Sequence, residues 1–268
     1  MVWHNGEWKS EEDACLGIYD GGFLRGEGFF ETIWAWQGRL WEGVRHLRRY
    51  QAAHLRWGWD DIVGEDHLLT LGKELLLRND LTVGEARVRV TRTKENLVIT
   101  ANALEPDRRR EGIRLGISPH VQSAERALAG MKSISYGNSI ISLREGQARA
   151  CEEVLLFTEG GDRGSWSEGA WSNVFGVEKG VVVTPPLSVG CLPGVTRELV
   201  IELAQEKGIV VEERVRTRQE VLQMEHLFVT STRVGLAPVL EFENRKLREG
   251  PEIQALATAL HEQRFGKE

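Results

Sequence analysis

Cysteine is scarce in this 268-residue chain, and the three present, Cys15, Cys151 and Cys191, stand far apart with no CxxC pair. An odd set of isolated thiols argues against a disulfide framework or a zinc site and suits a reducing compartment. Long apolar runs are missing as well: no stretch of about 18 uncharged apolar residues occurs, so no membrane span is expected. The opening MVWHNGEWKSEEDACLG sets Glu7, Lys9, Glu11, Glu12 and Asp13 where a secretory leader needs an apolar run. A cytoplasmic location is therefore the default expectation. Excess positive charge is also lacking. The net charge is −6, with acids and bases interspersed, so there is no basic stripe for nucleic acid. No P-loop, HExxH or GxSxG pattern occurs, and the histidines show no metal-ligand spacing, so hydrolysis by a metal or serine mechanism has no support and no metal is expected. Gly26-Glu27-Gly28 is only GxG, followed by an aromatic, β-like segment unsuited to a dinucleotide loop.

What is present is the balance of a globular protein, 41% hydrophobic and 28% charged, long enough for one large or two modest domains. Short strands are expected at Val2 to Trp8 around an Asn5-Gly6 turn, at Phe29 to Trp36, and, after a Gln37-Gly38 turn, at Arg39 to Trp41. Val44, Leu47, Gln51 and Leu55 follow the helical period, predicting a helix over 43–57, and Leu68, Leu71, Leu75 and Leu76 predict another over 65–79. Strands follow at Arg87 to Arg92, Leu97 to Ala103 and Ile113 to Ser118. The run EPDRRREG at 105–112 reads as a solvated loop. Beyond a looser stretch at 120–130, helices are expected at 138–150, 196–207 and from about 252. Strands are expected near 153–158, 173–178, 180–184, 209–215, 226–230 and 236–243. This is an α+β chain in two domains, divided as 1–119, a connection at 120–131, and 132–268.

Six segments carry further information: DGGFLRGEGFFET at 20–32, HLRRY at 46–50, MKSISYGNSI at 131–140, EGAWSNVF at 168–175, LPGVTR at 192–197 and FVTSTRVGLAPV at 228–239. Taken alone, each has an ordinary reading. Lys132 could be a surface lysine before an amphipathic helix, Glu168 a solvated acid after a Gly160-Gly161 turn, and Thr196 a plain helix cap. Together, in this order and at these spacings, the segments resemble the class IV aminotransferases, the fold-type IV enzymes of pyridoxal 5′-phosphate (PLP).

The resemblance implies an α+β, two-domain, D-amino acid aminotransferase-like fold with PLP in the cleft between domains, and a homodimer. It assigns Lys132 the Schiff base with the cofactor, a task that suits a partly buried amine, and afterwards the shuttling of a proton. Glu168 matches the partner of the pyridine nitrogen. Arg49, the Gly194-Val195-Thr196 helix start and the Ser231-Thr232 turn match the phosphate ligands. Tyr136 is placed to reach the phenolic oxygen, and Ser172 and Asn173 to shape the turn under the ring. Phe30, Trp34 and Arg92 are the candidate substrate contacts. Two reactions of a small amine substrate stay open. One is 4-amino-4-deoxychorismate lyase chemistry, favoured by the Lys132-to-Tyr136 spacing, the short chain and Gly235 in place of an acid. The other is transamination with a D-amino, branched-chain or other amine donor, favoured by Arg92 and by Trp34 standing where many lyases have arginine. A third reading is a catalytically silent homologue acting as a binding protein, against which the retention of Lys132, Glu168 and Arg49 counts.

Overall fold

A computed structural model describes residues 1–159 and 164–266, so the turn expected at Gly160-Gly161 lies outside the described residues. Two compact units emerge. The first comprises Met1–Pro106 with Met131–Tyr136, and the second Asp107–Gly130 with Gly137–Glu268.

The first unit contains β1 (Val2–His4), β2 (Glu7–Lys9), α1 (Gly21–Arg25), β3 (Gly28–Trp36), β4 (Arg39–Leu40), α2 (Gly43–Trp57), α3 (Glu65–Arg78), β5 (Glu85–Thr93) and β6 (Leu97–Ala103). Its described strands form a six-stranded sheet in the order β2-β1-β6-β5-β3-β4. The Asn5-Gly6 and Gln37-Gly38 turns pair a positive-φ polar residue with a positive-φ glycine, matching the right-handed twist of a hairpin. On the alternating strands, Phe29, Ile33, Ala35, Val88 and Val90 form a core with Leu47 of α2 and Leu68, Leu71 and Leu75 of α3. Each buried large apolar side chain contributes about 1.5–3 kcal/mol. The opposite face of β3 and β5 carries Phe30, Thr32 and Trp34 against Thr91, Arg89 and Arg87.

The second unit contains β7 (Ile113–Gln122), α4 (Gly137–Gln147), β8 (Glu153–Thr158), β9 (Trp166–Gly169), β10 (Asn173–Glu178), β11 (Val181–Thr184), α5 (Val195–Glu206), β12 (Val211–Glu213), α6 (Arg218–Leu222), β13 (His226–Ser231), β14 (Gly235–Phe242), β15 (Arg245–Lys246) and α7 (Pro251–Phe265). Its strands run β12-β11-β10-β13-β14-β7-β8-β9, with β15 on β14. Near-continuous burial along β8 and β14 matches their apolar runs at 154–157 and 236–239. Thr217 and Glu220 close a capping box on α6, and Pro251 opens α7.

The division differs from the 1–119 and 132–268 expectation at both edges. The strand from Ile113 pairs in parallel with β14 and β8, which places it in the second sheet. Met131–Tyr136 instead lies along β3 of the first unit, held by Phe30 N to Lys132 O (2.9 Å) and Ile134 N to Gly28 O (3.1 Å). Short elements without a periodic signal, α1, β9, α6 and β15, were outside the reading of the sequence. Among the described residues no helix is long and apolar enough to cross a membrane.

Candidate active site

Lys132 is positioned by backbone pairing. The bridge between Phe29 and Ser133 sets Lys132 opposite Phe30 on one face, and Gly28 permits the approach because a Cβ there would press on the Ile134 side chain of the same segment. The half-buried Lys132 amine donates to the Tyr136 hydroxyl at 3.3 Å and lies 4.7 Å from the centroid of the Phe30 ring. Phe30 and Tyr136 are tilted rings 5.3 Å apart. A lysine amine is thus held between a phenol and an aromatic face, with part of its surface open.

Beneath this face lies a charged cluster. Arg49, on α2, donates through Nε and Nη2 to the two carboxylate oxygens of Glu31 at 2.7 and 2.8 Å. His46, one helical turn earlier, meets the same carboxylate through Nδ1 at 2.9 Å. Burial alone pushes the Glu31 carboxyl up, but the charge and hydrogen bonds of Arg49, with those of His46, outweigh it and hold the pKa at about 2. Burial lowers the His46 pKa, opposed by Glu31 and assisted by the charges of Arg49 and Lys132. Glu31 therefore fixes a guanidinium whose side chain is 12% exposed.

In the second unit a comparable convergence surrounds the turn before α5. Glu168, on β9, accepts from the Leu192 N–H at 2.9 Å and from Arg126 at 3.3 Å. The Asn173 amide donates to the Leu192 carbonyl at 2.8 Å, and a Cβ on Gly194 would strike the Asn173 amide oxygen. Gly194 is the N-cap of α5 and supplies no side-chain cap, while among the described residues the buried Thr196 hydroxyl has no hydrogen-bond partner. Asn173 pairs with Thr230 across β10 and β13, so Ser231 follows at the same sheet end. Ser231 Oγ accepts from Val234 N at 3.3 Å, and the Thr232 carbonyl accepts from Arg264 at 3.0 Å. Ser172 donates to Glu153 at 2.8 Å. Burial is the main cause that raises the Glu153 carboxyl above its ordinary pKa, against hydrogen bonds from Ser172 and the Val154, Trp171 and Ala170 amides.

The structure thus brings together Lys132, Tyr136 and Phe30 in one unit. In the other it gathers Glu168, Asn173, Gly194, Val195, Thr196 and the Ser231-Thr232 turn. Trp34 lies on the Phe30 face but is only 1% exposed, its indole donating to Glu85 at 2.8 Å and stacking on Trp36. It backs the site rather than opening into it. Arg92 does not join the group. Strand alternation turns it to the core face, where it pairs with Asp61 beside the Trp59 ring. Reading the sequence missed Glu31, His46, Arg126 and Glu153. Glu31 and His46 lay within the FFET and HLRRY segments, whereas Arg126 and Glu153 had no local signal.

The donors suit a phosphorylated pyridine aldehyde. In the second unit an uncapped helix start, where the buried Thr196 hydroxyl has no hydrogen-bond partner among the described residues, is a ready anion site, and Glu168 is a carboxylate of the kind a ring nitrogen needs. In the first unit Lys132 is an amine of the kind an aldehyde needs. Comparison with known proteins agrees. Residues 28–242 match the model of the amino-transferase class IV family, and the chain belongs to that family. A Methanocaldococcus jannaschii protein, provisionally named a branched-chain-amino-acid aminotransferase, is 29% identical over 91% of this chain and 88% of its own length. Bacillus subtilis aminodeoxychorismate lyase is also 29% identical, over 91% of this chain and 87% of its own. The branched-chain aminotransferase of Thermoproteus uzoniensis, solved with norvaline, superposes with a TM-score of 0.90 at 26% identity, covering 97% of this chain and 93% of that one. The chain is a PLP-dependent enzyme of this family, an aminotransferase or lyase.

Proposed function

We propose that the enzyme is a 4-amino-4-deoxychorismate lyase, releasing 4-aminobenzoate and pyruvate for folate synthesis, with Lys132 as its catalytic residue. The observation that carries the choice of reaction is the placement of Arg92. The arginine whose sequence context spoke for a D-amino acid transaminase points into the core and is occupied by Asp61. Phe30 likewise offers no hydroxyl to a substrate carboxylate.

When bound, PLP would supply the electron sink for proton removal at the substrate carbon. Lys132 would hold the cofactor and move the proton at the substrate carbon, with the Tyr136 hydroxyl at 3.3 Å orienting the amine. Glu168 would keep the ring nitrogen protonated, and its bonds to Arg126 and Leu192 fix its direction. Arg49, aligned by Glu31 in the first unit, would serve the phosphate, and in the second unit the amides of Gly194, Val195 and Thr196 and the Ser231-Thr232 turn would serve it too. Ser172 and Asn173, held by Glu153 and the Leu192 carbonyl, would shape the turn beside the ring. The working form in this reading is a cytoplasmic homodimer, and the exposed Ile18, Tyr19 and Phe23 offer apolar surface for association.

Transamination is the second reading, favoured by the equal identity of the M. jannaschii relative and the likeness to the T. uzoniensis enzyme. Pyruvate release from aminodeoxychorismate, measured beside a panel of amino donors and keto acids, separates them. The lyase reading expects catalytic pyruvate and little conversion of the cofactor to its amino form by common L-amino acids. Rapid stoichiometric conversion with keto-acid-dependent recovery, and no pyruvate, would replace it with transamination.

A further inference from the structure

Three arginines alternate along β5, and their surroundings differ. Arg92 is on the core face with Asp61, and Arg87 is exposed. Arg89 is half-buried. Its Nε donates to Thr91 Oγ1 at 3.0 Å, its guanidinium stacks 3.6 Å from the Phe30 ring centroid, and among the described residues no carboxylate pairs with it. Burial is the largest cause lowering its pKa, and Arg87 adds repulsion. A partly desolvated cation without an acid is costly unless an anion comes to it.

The same Phe30 ring has the Lys132 amine 4.7 Å from its centroid, so both cations flank one aromatic side chain on one sheet face. Stacking leaves the edge of a guanidinium open, and with Nε engaged by Thr91 the terminal nitrogens remain for the two oxygens of a carboxylate. Arg49, the cation assigned to the phosphate, is engaged at both carboxylate oxygens of Glu31, so Arg89 is a second, separate cation.

We propose that Arg89 binds a carboxylate that the substrate carries away from its reacting amine, and so selects acidic substrates over neutral ones. The inference rests on Lys132 being the cofactor-holding amine, and it applies equally to a lyase substrate with a ring carboxylate and to a dicarboxylic amino donor.

The test uses PLP-loaded protein and two non-reacting probes, glutarate and butyrate, with binding measured by calorimetry. Wild type is expected to favour glutarate by about 10-fold or more, the worth of a charged hydrogen bond. Arg89→Met should bring the two affinities to within about twofold, and Arg89→Lys, which keeps the cation, should retain part of the preference. An unchanged preference in Arg89→Met, or none in wild type, would overturn the proposal. So would loss of cofactor absorbance in both variants at a PLP concentration that saturates wild type, because Arg89 would then serve the cofactor. A wild-type protein that develops no visible band with PLP removes the Lys132 reading and this inference with it. A normal band with no glutarate preference removes only the inference.

Discussion

At the scale of single residues, the account turns on groups whose partners fix their direction. Glu168 is held by a backbone amide and Arg126, so Glu168→Gln should keep the backbone bond while losing the charge that protonates the ring. Cofactor loading is expected to persist, through Arg49 and the start of α5, while turnover falls on the order of 100-fold. Turnover measured at matched cofactor absorbance checks this, and an unaltered rate would take Glu168 out of the mechanism. Glu31 is a different case. Removing one partner of a buried ion pair costs about 3–5 kcal/mol, so Glu31→Gln is expected both to lower the melting temperature and to weaken PLP binding through a misdirected Arg49. Normal PLP affinity in a destabilised Glu31→Gln protein would separate Arg49 from the phosphate. Lys132 and Glu168 could be proposed from the sequence because the segments that carry them are local. Arg89 and Arg92 were not sorted, because which arginine faces the site depends on strand parity fixed by the pairing of Phe29 with Arg92.

At the scale of elements, α2 and α5 carry measurable consequences. His46, on α2, is buried and its pKa is lowered chiefly by that burial. The unfolded chain takes up a proton near the ordinary histidine value of about 6.5, whereas the folded ring resists it to lower pH. Stability from this group is therefore full above that value and declines as the pH falls through it toward the folded pKa. Glu31, with a pKa of about 2, stays ionised throughout that window. His46→Gln should flatten the dependence of melting temperature on pH between about 7 and 5, and an identical slope in the variant would show that His46 is not the linked group. On α5, Thr196→Val removes the unpaired hydroxyl at the helix start without changing shape. PLP affinity is expected to fall about 10-fold, the loss of one charged hydrogen bond, with little change in the melting temperature of the cofactor-free protein. Helices α2 and α3 were readable because apolar residues recur at the helical period over several turns. The five-residue α1 and α6 and the four-residue β9 offered too few residues for a period to register.

At the scale of the whole molecule, the sequence conveyed the two-domain α+β class but misplaced the border. Local pattern marks a strand at Ile113 without saying which sheet receives it, and parallel pairing with β14 and β8 is a long-range choice. The same holds for Met131–Tyr136, an irregular segment whose hydrogen bonds go to β3. That pairing places Lys132 opposite Phe30, and the account's central claim is that this amine holds PLP. Incubation with PLP, reduction with borohydride and peptide mapping test it most directly. The account expects the visible band to bleach and one phosphopyridoxyl group to appear on Lys132. An adduct on Lys73 or Lys179 instead, with Lys132 unmodified, would contradict it.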